Sequence, residues 1–422
     1  MKKIFSLFAS FVMVVCCAFC LVACGEEKET PKKENPAPDF KVGLICLHDE
    51  SSTYDKNFID SMYRALDEIG LDRDQLELVT GVGEDNSCYE KAVELAATCG
   101  VVFADSFGHE DFMIQAAKEK TNVLFCHATG TKAHTENLPN FYNAFASIYE
   151  GRYLAGVAAG LKLKAMMEAD SKVTPLVGYV AAFPYAEVIS GYTAWFLGVR
   201  SIVADATMKV TYTSSWYDFD AEKAAANKLI QAGCVLLSQH ADSYGAPEAC
   251  EAANVPNVTY NGTTEGKCPN TYVISSKIDW APYYVKMINA AIKGEKVTEK
   301  DYTGTIATGS VKLDAPGKKA AAAGTAEKLE EVKAQLAAGT LHVFDTSKFT
   351  VSTFGNGTTT FFNLNATVDP VTHKVLSYMA DVNSDPDFAG DTEAIKDGYF
   401  HESEYRSAPY FDLIIDGVEV IG

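Results

Sequence analysis

Residues 214–225, SSWYDFDAEKAA, set two large aromatics, Trp216 and Tyr217, beside the carboxylate of Asp218, between an alternating β-branched run and a helix-forming run. Aromatic faces stack on flat rings, and a carboxylate accepts hydrogen bonds from the amines and ring N–H groups at a ring's rim. The chemistry these types supply is recognition of a planar heterocycle. Trp216 is expected on one face of the ring, with Tyr54 or Phe107 on the other. Asp55, Asp218, Asp242 and His240 are expected at its rim, although Asp55 and Asp218 also stand where they would cap the helices that follow. Phe183 in AAFPY and Trp280 before APYY are expected along the hinge side of the same site.

Bond-breaking chemistry has less support. The chain has no GxSxG elbow, GTTEGKC lacks the spacing of a phosphate-binding loop, and GVGEDN departs from the dinucleotide fingerprint at its last glycine. His48, His109, His127 and His240 fall at or just beyond strand ends, which raises a metal site as a rival. Neither HEDFM nor HESEY has the HExxH spacing. The expectation is a binding protein with no catalytic residues, no cofactor and no metal; a receptor for another solute or a metal, and a nucleoside hydrolase, are the alternatives.

The elements that must position these residues follow from periodicity. From Lys41 onward short apolar runs alternate with amphipathic helices. KVGLICL precedes NFIDSMYRALDEIG, in which Phe58, Met62, Leu66 and Ile69 recur at helical spacing and Gly70 suits a left-handed cap. LELVTGV, VVFADSFG and NVLFCHATG continue the first series; PLVGYVAAF, KVTYTSSW, CVLLSQHAD and NVTYNG form a second. Buried strands alternating with helices imply parallel sheets covered on both faces. The expected architecture is α/β, with two Rossmann-like lobes joined by a hinge near Phe145 and near Gly262 to Ser275. Residues 41–146 with 276–314 are assigned to lobe 1 and 147–275 to lobe 2. Ligands of such sheets sit beyond the carboxyl ends of the strands, so two facing lobes share one cleft. Residues 315–422 read as a helix and a β-rich extension of antiparallel strands, among them LHVFDTSKFTV, GTTTFFNLNATV, HKVLSYMADV and YFDLIIDGVEVI.

The 422 residues carry a net charge of −20, which disfavours nucleic acid and anionic lipid as charge-driven partners. The opening MKKIFSLFASFVMVVCCAFCLVAC reads as a signal peptide over residues 1–23. LVAC followed by Gly25 resembles a bacterial lipobox, with Cys24 as the lipidated new N-terminus. Residues 24–40, rich in charge and proline, are expected to form a flexible tether. The mature protein is therefore expected outside the cytoplasm, anchored to the membrane by lipid rather than spanning it. Seven cysteines remain beyond Cys24 with no CxxC pair, so buried thiols are expected, Cys250 with Cys268 being the one pair to examine for a bridge.

YDKNF, SFGHED, YEGRYLAGVAAGL, VGYVAAFPYAEVISG, FLGVRS, SSWYD and SSKIDWAPYY, in this order between Lys41 and Asp314, resemble the basic membrane protein (BMP) family of lipid-anchored substrate-binding proteins. The resemblance implies the type I periplasmic-binding fold, a purine nucleoside or nucleobase as ligand, and the permease of an ABC importer as partner. It also implies that Trp216 replaces a family phenylalanine. Three departures stand out. His127 and Thr129 occupy the neighbourhood of a family aspartate, Asn261 stands for a second aspartate, and Asp279 lies near the place of a family lysine, from which Lys277 is offset. Those family groups grip ribose, so the resemblance implies a nucleobase in preference to a nucleoside, with His127 and Asn261 as further ligand-binding candidates.

Overall fold

The computed structural model describes residues 34–352, 363, 365–382 and 390–422. The expected leader, Cys24 and the first part of the tether lie outside these residues, as does most of GTTTFFNLNATV. The first series runs β1 (Val42–Ile45), α1 (Thr53–Ile69), β2 (Leu76–Val79), α2 (Asn86–Leu95), β3 (Val101–Ala104), α3 (Glu110–Glu119), β4 (Leu124–Ala128), α4 (Ala133–Glu136) and β5 (Phe141–Ala146). The second runs α5 (Ile148–Ala169), β6 (Leu176–Ala181), α6 (Ala186–Arg200), β7 (Thr207–Tyr212), α7 (Phe219–Gln231), β8 (Leu236–His240), α8 (Gly245–Ala253), β9 (Asn257–Tyr260) and β10 (Tyr272–Ile278). α1 shows why these pieces form. The Ser52 hydroxyl caps it by accepting from the Asp55 N–H, Phe58, Met62, Leu66 and Ile69 bury one stripe, and Gly70 at φ 98° ends it with its N–H on the Leu66 carbonyl.

After β10 come α9 (Ala281–Lys293), β11 (Asp301–Gly304) and β12 (Val311–Leu313). The strands of lobe 1 are ordered β11-β5-β4-β3-β1-β2, and those of lobe 2 begin β12-β10-β9-β8-β6-β7. All pairs are parallel except β10 with β12. The chain thus crosses between lobes three times, after β5, after β10 and between β11 and β12. The expected division is corrected here. Ser276, Lys277 and Ile278 belong to β10 and hence to lobe 2, and β12 returns there, while α9 packs on α1 of lobe 1. The sequence marks the helix of this segment plainly, but the short β11 and β12 take their sheet from partners remote in the chain.

The extension contains α10 (Thr325–Ala337), then β13 (Ala366–Val368), β14 (Val375–Ala380), β15 (Thr392–Glu393), β16 (Ile395–Lys396), β17 (Tyr399–Phe400) and β18 (Val418–Val420). β13-β14-β15 and β16-β17 are antiparallel, as read, whereas β18 joins the edge of the lobe 2 sheet parallel to β7. LHVFDTSKFTV forms no regular strand; its apolar residues Val343, Phe344, Phe349 and Val351 are buried in the core instead. All seven cysteines of the folded part are buried free thiols, Cys250 and Cys268 included. No described helix is long and apolar enough to cross a membrane.

Candidate ligand-binding site

In lobe 1 the strand order reverses between β3 and β1, and in lobe 2 between β6 and β8, the two places where open α/β sheets form a crevice. The residues that follow these strands meet in one cavity lined by Leu47, His48, Tyr54, Asp55, Ser106, Phe107, Thr129, Glu187, Trp216, His240 and Asp242. Its free volume is about 20 Å³, room for one water rather than a ring. Rings from opposite lobes fill the mouth, with Phe107 5.9 Å from Tyr185 and His48 5.3 Å from Tyr217 between centroids. The Asp242 carbonyl accepts from the Thr53 N–H at 2.9 Å, so the lobes also touch through backbone.

Trp216 is half-buried on the lobe 2 wall, with Phe183 edge-on at 5.0 Å and Tyr185 at 6.0 Å. Its carbonyl accepts from the Asp242 N–H at 2.9 Å, which ties the aromatic to the acid. Across the cavity the Tyr54 hydroxyl donates to the Asp105 carbonyl at 2.6 Å, and its ring leans on Phe58. Asp55 accepts from the His48 N–H at 2.7 Å; burial opposes its charge, but the bonds from His48 and Ser52 hold its carboxyl below the usual range. Burial, reinforced by the Asp55 carboxylate, pushes Asp105 well up. Asp242 is pushed well up by burial and by Asp55, Glu222 and Glu187, with Arg152 opposing. The hydroxyl of Thr129 is buried without a hydrogen-bond partner among the described residues, and Oδ2 of Asp55 has only the His48 ring, 3.5 Å away. A donor-bearing guest would satisfy such acceptors.

The other candidates lie elsewhere. Asp218 is exposed and caps α7, its carboxylate accepting from the Ala221 N–H at 2.9 Å. Trp280 is 2% exposed and stacks on Phe58 at 4.3 Å in the core, because it immediately precedes a helix whose apolar face packs on α1. His127 is spent on the Ser106 carbonyl at 2.6 Å and on Asn143 at 3.2 Å, behind the wall. Asn261 reaches the Asp242 carboxylate at 3.5 Å and supports the rim from behind. Phe183 backs Trp216 rather than lining the cavity. Asp279 pairs with Arg64 at 2.9 Å and with Lys312. Sequence reasoning missed Glu187 and Ser106. Glu187 sits in the first turn of α6, where an acid reads as a partner of the helix dipole.

The histidines do not converge: His109 is bonded to the Val82 carbonyl, and burial pulls it down to about 4. Among the described residues only Cys46, Asp55 and Asp105 bring donor atoms within 4.8 Å of one another. Burial pushes the Cys46 thiol well up, as it does Asp105.

Outside the cavity, and sharing Phe107, Thr129 and Glu187 with it, lies a chamber of about 720 Å³. Lys132 of lobe 1, Tyr185 of lobe 2, and Arg406, Pro409 and Asp412 of the extension face it.

The family model of the PnrA-like ABC transporter substrate-binding proteins matches residues 42–340. The chain belongs to the Bmp family. A putative ABC transporter glucose-binding protein of Haloferax volcanii is 33% identical over 238 residues, 56% of this chain. A purine-binding protein of Brucella abortus is 30% identical over 260 residues, 60% of this chain and 69% of that one. The chain spans 55% of the length of the Haloferax relative. Solute-binding proteins of ABC transporter systems from Aeropyrum pernix and Conexibacter woesei share the fold, with TM-scores of 0.60 and 0.57 at 14% and 19% identity, over 72% of this chain and 93% and 98% of theirs. The Bmp family is one of ABC transporter substrate-binding proteins. The extension beyond residue 340, which walls the outer chamber, falls outside the family match.

Proposed function

We propose that this protein is a solute receptor, tethered outside the cell by lipid on Cys24, that closes its lobes over a flat purine-type heterocycle and hands it to an ABC importer. The observation that carries this reading is the cavity at both strand-order reversals, with Trp216 and Phe107 on opposite walls and Asp55, Asp242 and Glu187 around it. The name of the Brucella relative supports a purine. A base is favoured over a nucleoside, since His127, Asn261 and Asp279 are each engaged with protein partners where the family offers ribose-gripping groups. Admitting the ring requires Phe107 and Tyr185 to part, and closure over it is a hinge motion at the three crossings.

A sugar is the second reading. The Haloferax relative is named for glucose, and carboxylates accept from hydroxyls as readily as from amines. Calorimetric titration of the purified protein with adenine, hypoxanthine, adenosine and glucose separates the two. Micromolar or tighter binding of a base, with weaker binding of its nucleoside, is expected. Binding of glucose alone would replace the purine reading, and release of free base from adenosine would make the protein a hydrolase.

A further inference from the structure

Behind the lobe 2 wall lies a buried cation. Arg152, on α5, is 1% exposed. Its guanidinium carbon sits 3.4 Å from the centre of the Tyr260 ring, and Nη1 donates to the Gln239 carbonyl at 3.2 Å. Nε and Nη2 have no protein partner among the described residues. A buried arginine ordinarily meets a carboxylate, because an uncompensated charge in a low-dielectric interior is costly.

The side chain between this cation and the cavity is His240. Tyr260 lies edge-on to it at 4.9 Å, and its Nε2 is 3.5 Å from Glu187. Its Nδ1 packs over the same glycine as the arginine: a Cβ built on Gly191 would lie 3.4 Å from His240 Nδ1 and 3.5 Å from Arg152 Nε. The imidazole therefore has a cation on its Nδ1 side and a carboxylate on its Nε2 side. A proton on Nδ1 is repelled, and a proton on Nε2 is attracted.

We propose that Arg152 is a positioning residue for the cavity, holding His240 as the neutral tautomer whose Nε2–H points to Glu187, so that Glu187 is kept in place to face the ligand as an acceptor. Arg152 does not touch the ligand. The groups that face His240 are Arg152 from α5, Glu187 from α6 and Tyr260 from β9, with Asp242 two residues along the chain in the same cavity. Burial pulls the imidazole down, Arg152 pulls it further, and Glu187 opposes both. Only its consequence for the ligand rests on the reading above.

The test is nitrogen-15 NMR of the His240 ring in the ligand-free protein between pH 5.5 and 8. The wild type should show a protonated Nε2 and a bare Nδ1 throughout. Arg152→Met should bring a titration into this window, and Arg152→Lys, which keeps the charge, should retain the wild-type pattern. With adenine as probe, the ratio of Arg152→Met to wild-type dissociation constants should grow several-fold from pH 8 to 5.5. An Nδ1–H tautomer or a charged ring at pH 7 in the wild type overturns the proposal, even if Arg152→Met does not fold. Ring signals unchanged in Arg152→Met overturn it too. The expected ring signals without adenine binding would leave the electrostatic role standing and remove the purine reading alone.

Discussion

Two tryptophans and two acids that look alike in the sequence separate by what surrounds them. Trp216 faces the cavity and Trp280 faces Phe58, so their loss should be read by different instruments. Trp216→Ala should weaken heterocycle binding more than tenfold by calorimetry with little change in melting temperature. Trp280→Ala should cost about 3–5 kcal/mol in denaturant unfolding, the usual loss for a buried aromatic. Likewise Asp218→Ala should remove a helix cap, about 1 kcal/mol, and leave ligand affinity unchanged. The residue types in SSWYD mark the aromatic that lines the cavity, Trp216. What they did not reveal is which acid turns inward, since Asp218 is spent on the Ala221 N–H whereas Glu187 looks into the cleft.

At the scale of elements, the alternation of apolar runs and amphipathic helices made both lobes legible, because each βα unit buries its own stripe locally. The partners of β11, β12 and β18 were not legible: β18 pairs with residues 208–210, some two hundred positions earlier, and no local pattern records that. The contact between extension and hinge helix has a pH consequence. Glu402 is buried, bonded by the hydroxyls of Ser190 and Ser403, and shares a cavity of about 260 Å³ with Glu150 at the start of α5. Burial raises each to about 7. A carboxyl with a raised folded pKa binds more protons folded than unfolded, so its contribution falls as pH rises from about 4.5 through 7. Melting temperature should decline across that window by differential scanning calorimetry, and Glu402→Gln should flatten the decline.

At the scale of the molecule, the extension bridges the lobes. It is fixed to lobe 2 through β18 and through Arg200, whose Nη1 donates to the Asp416 carbonyl at 2.7 Å. It reaches lobe 1 where Asp301 accepts from the Ser407 hydroxyl at 3.0 Å and where His134 meets the Val382 carbonyl at 2.6 Å. Opening the cleft pulls against that second, small, polar attachment. Ser407→Ala should therefore loosen it, and ligand dissociation followed by stopped-flow fluorescence should quicken a few-fold, with folding unaffected.

The seam between β18 and β7 bears on solubility as well as on shape. An uncovered outer strand offers a row of N–H and carbonyl groups to any neighbouring molecule, the usual seed of sheet-to-sheet aggregation. Three residues near the carboxyl end, Val418, Glu419 and Val420, occupy that row on lobe 2, with Glu419 placing a charge beside Lys209 at the rim. β18 is then itself the outer strand of this sheet, and at three residues with the Glu419 charge in its middle it is a poor template for a further strand.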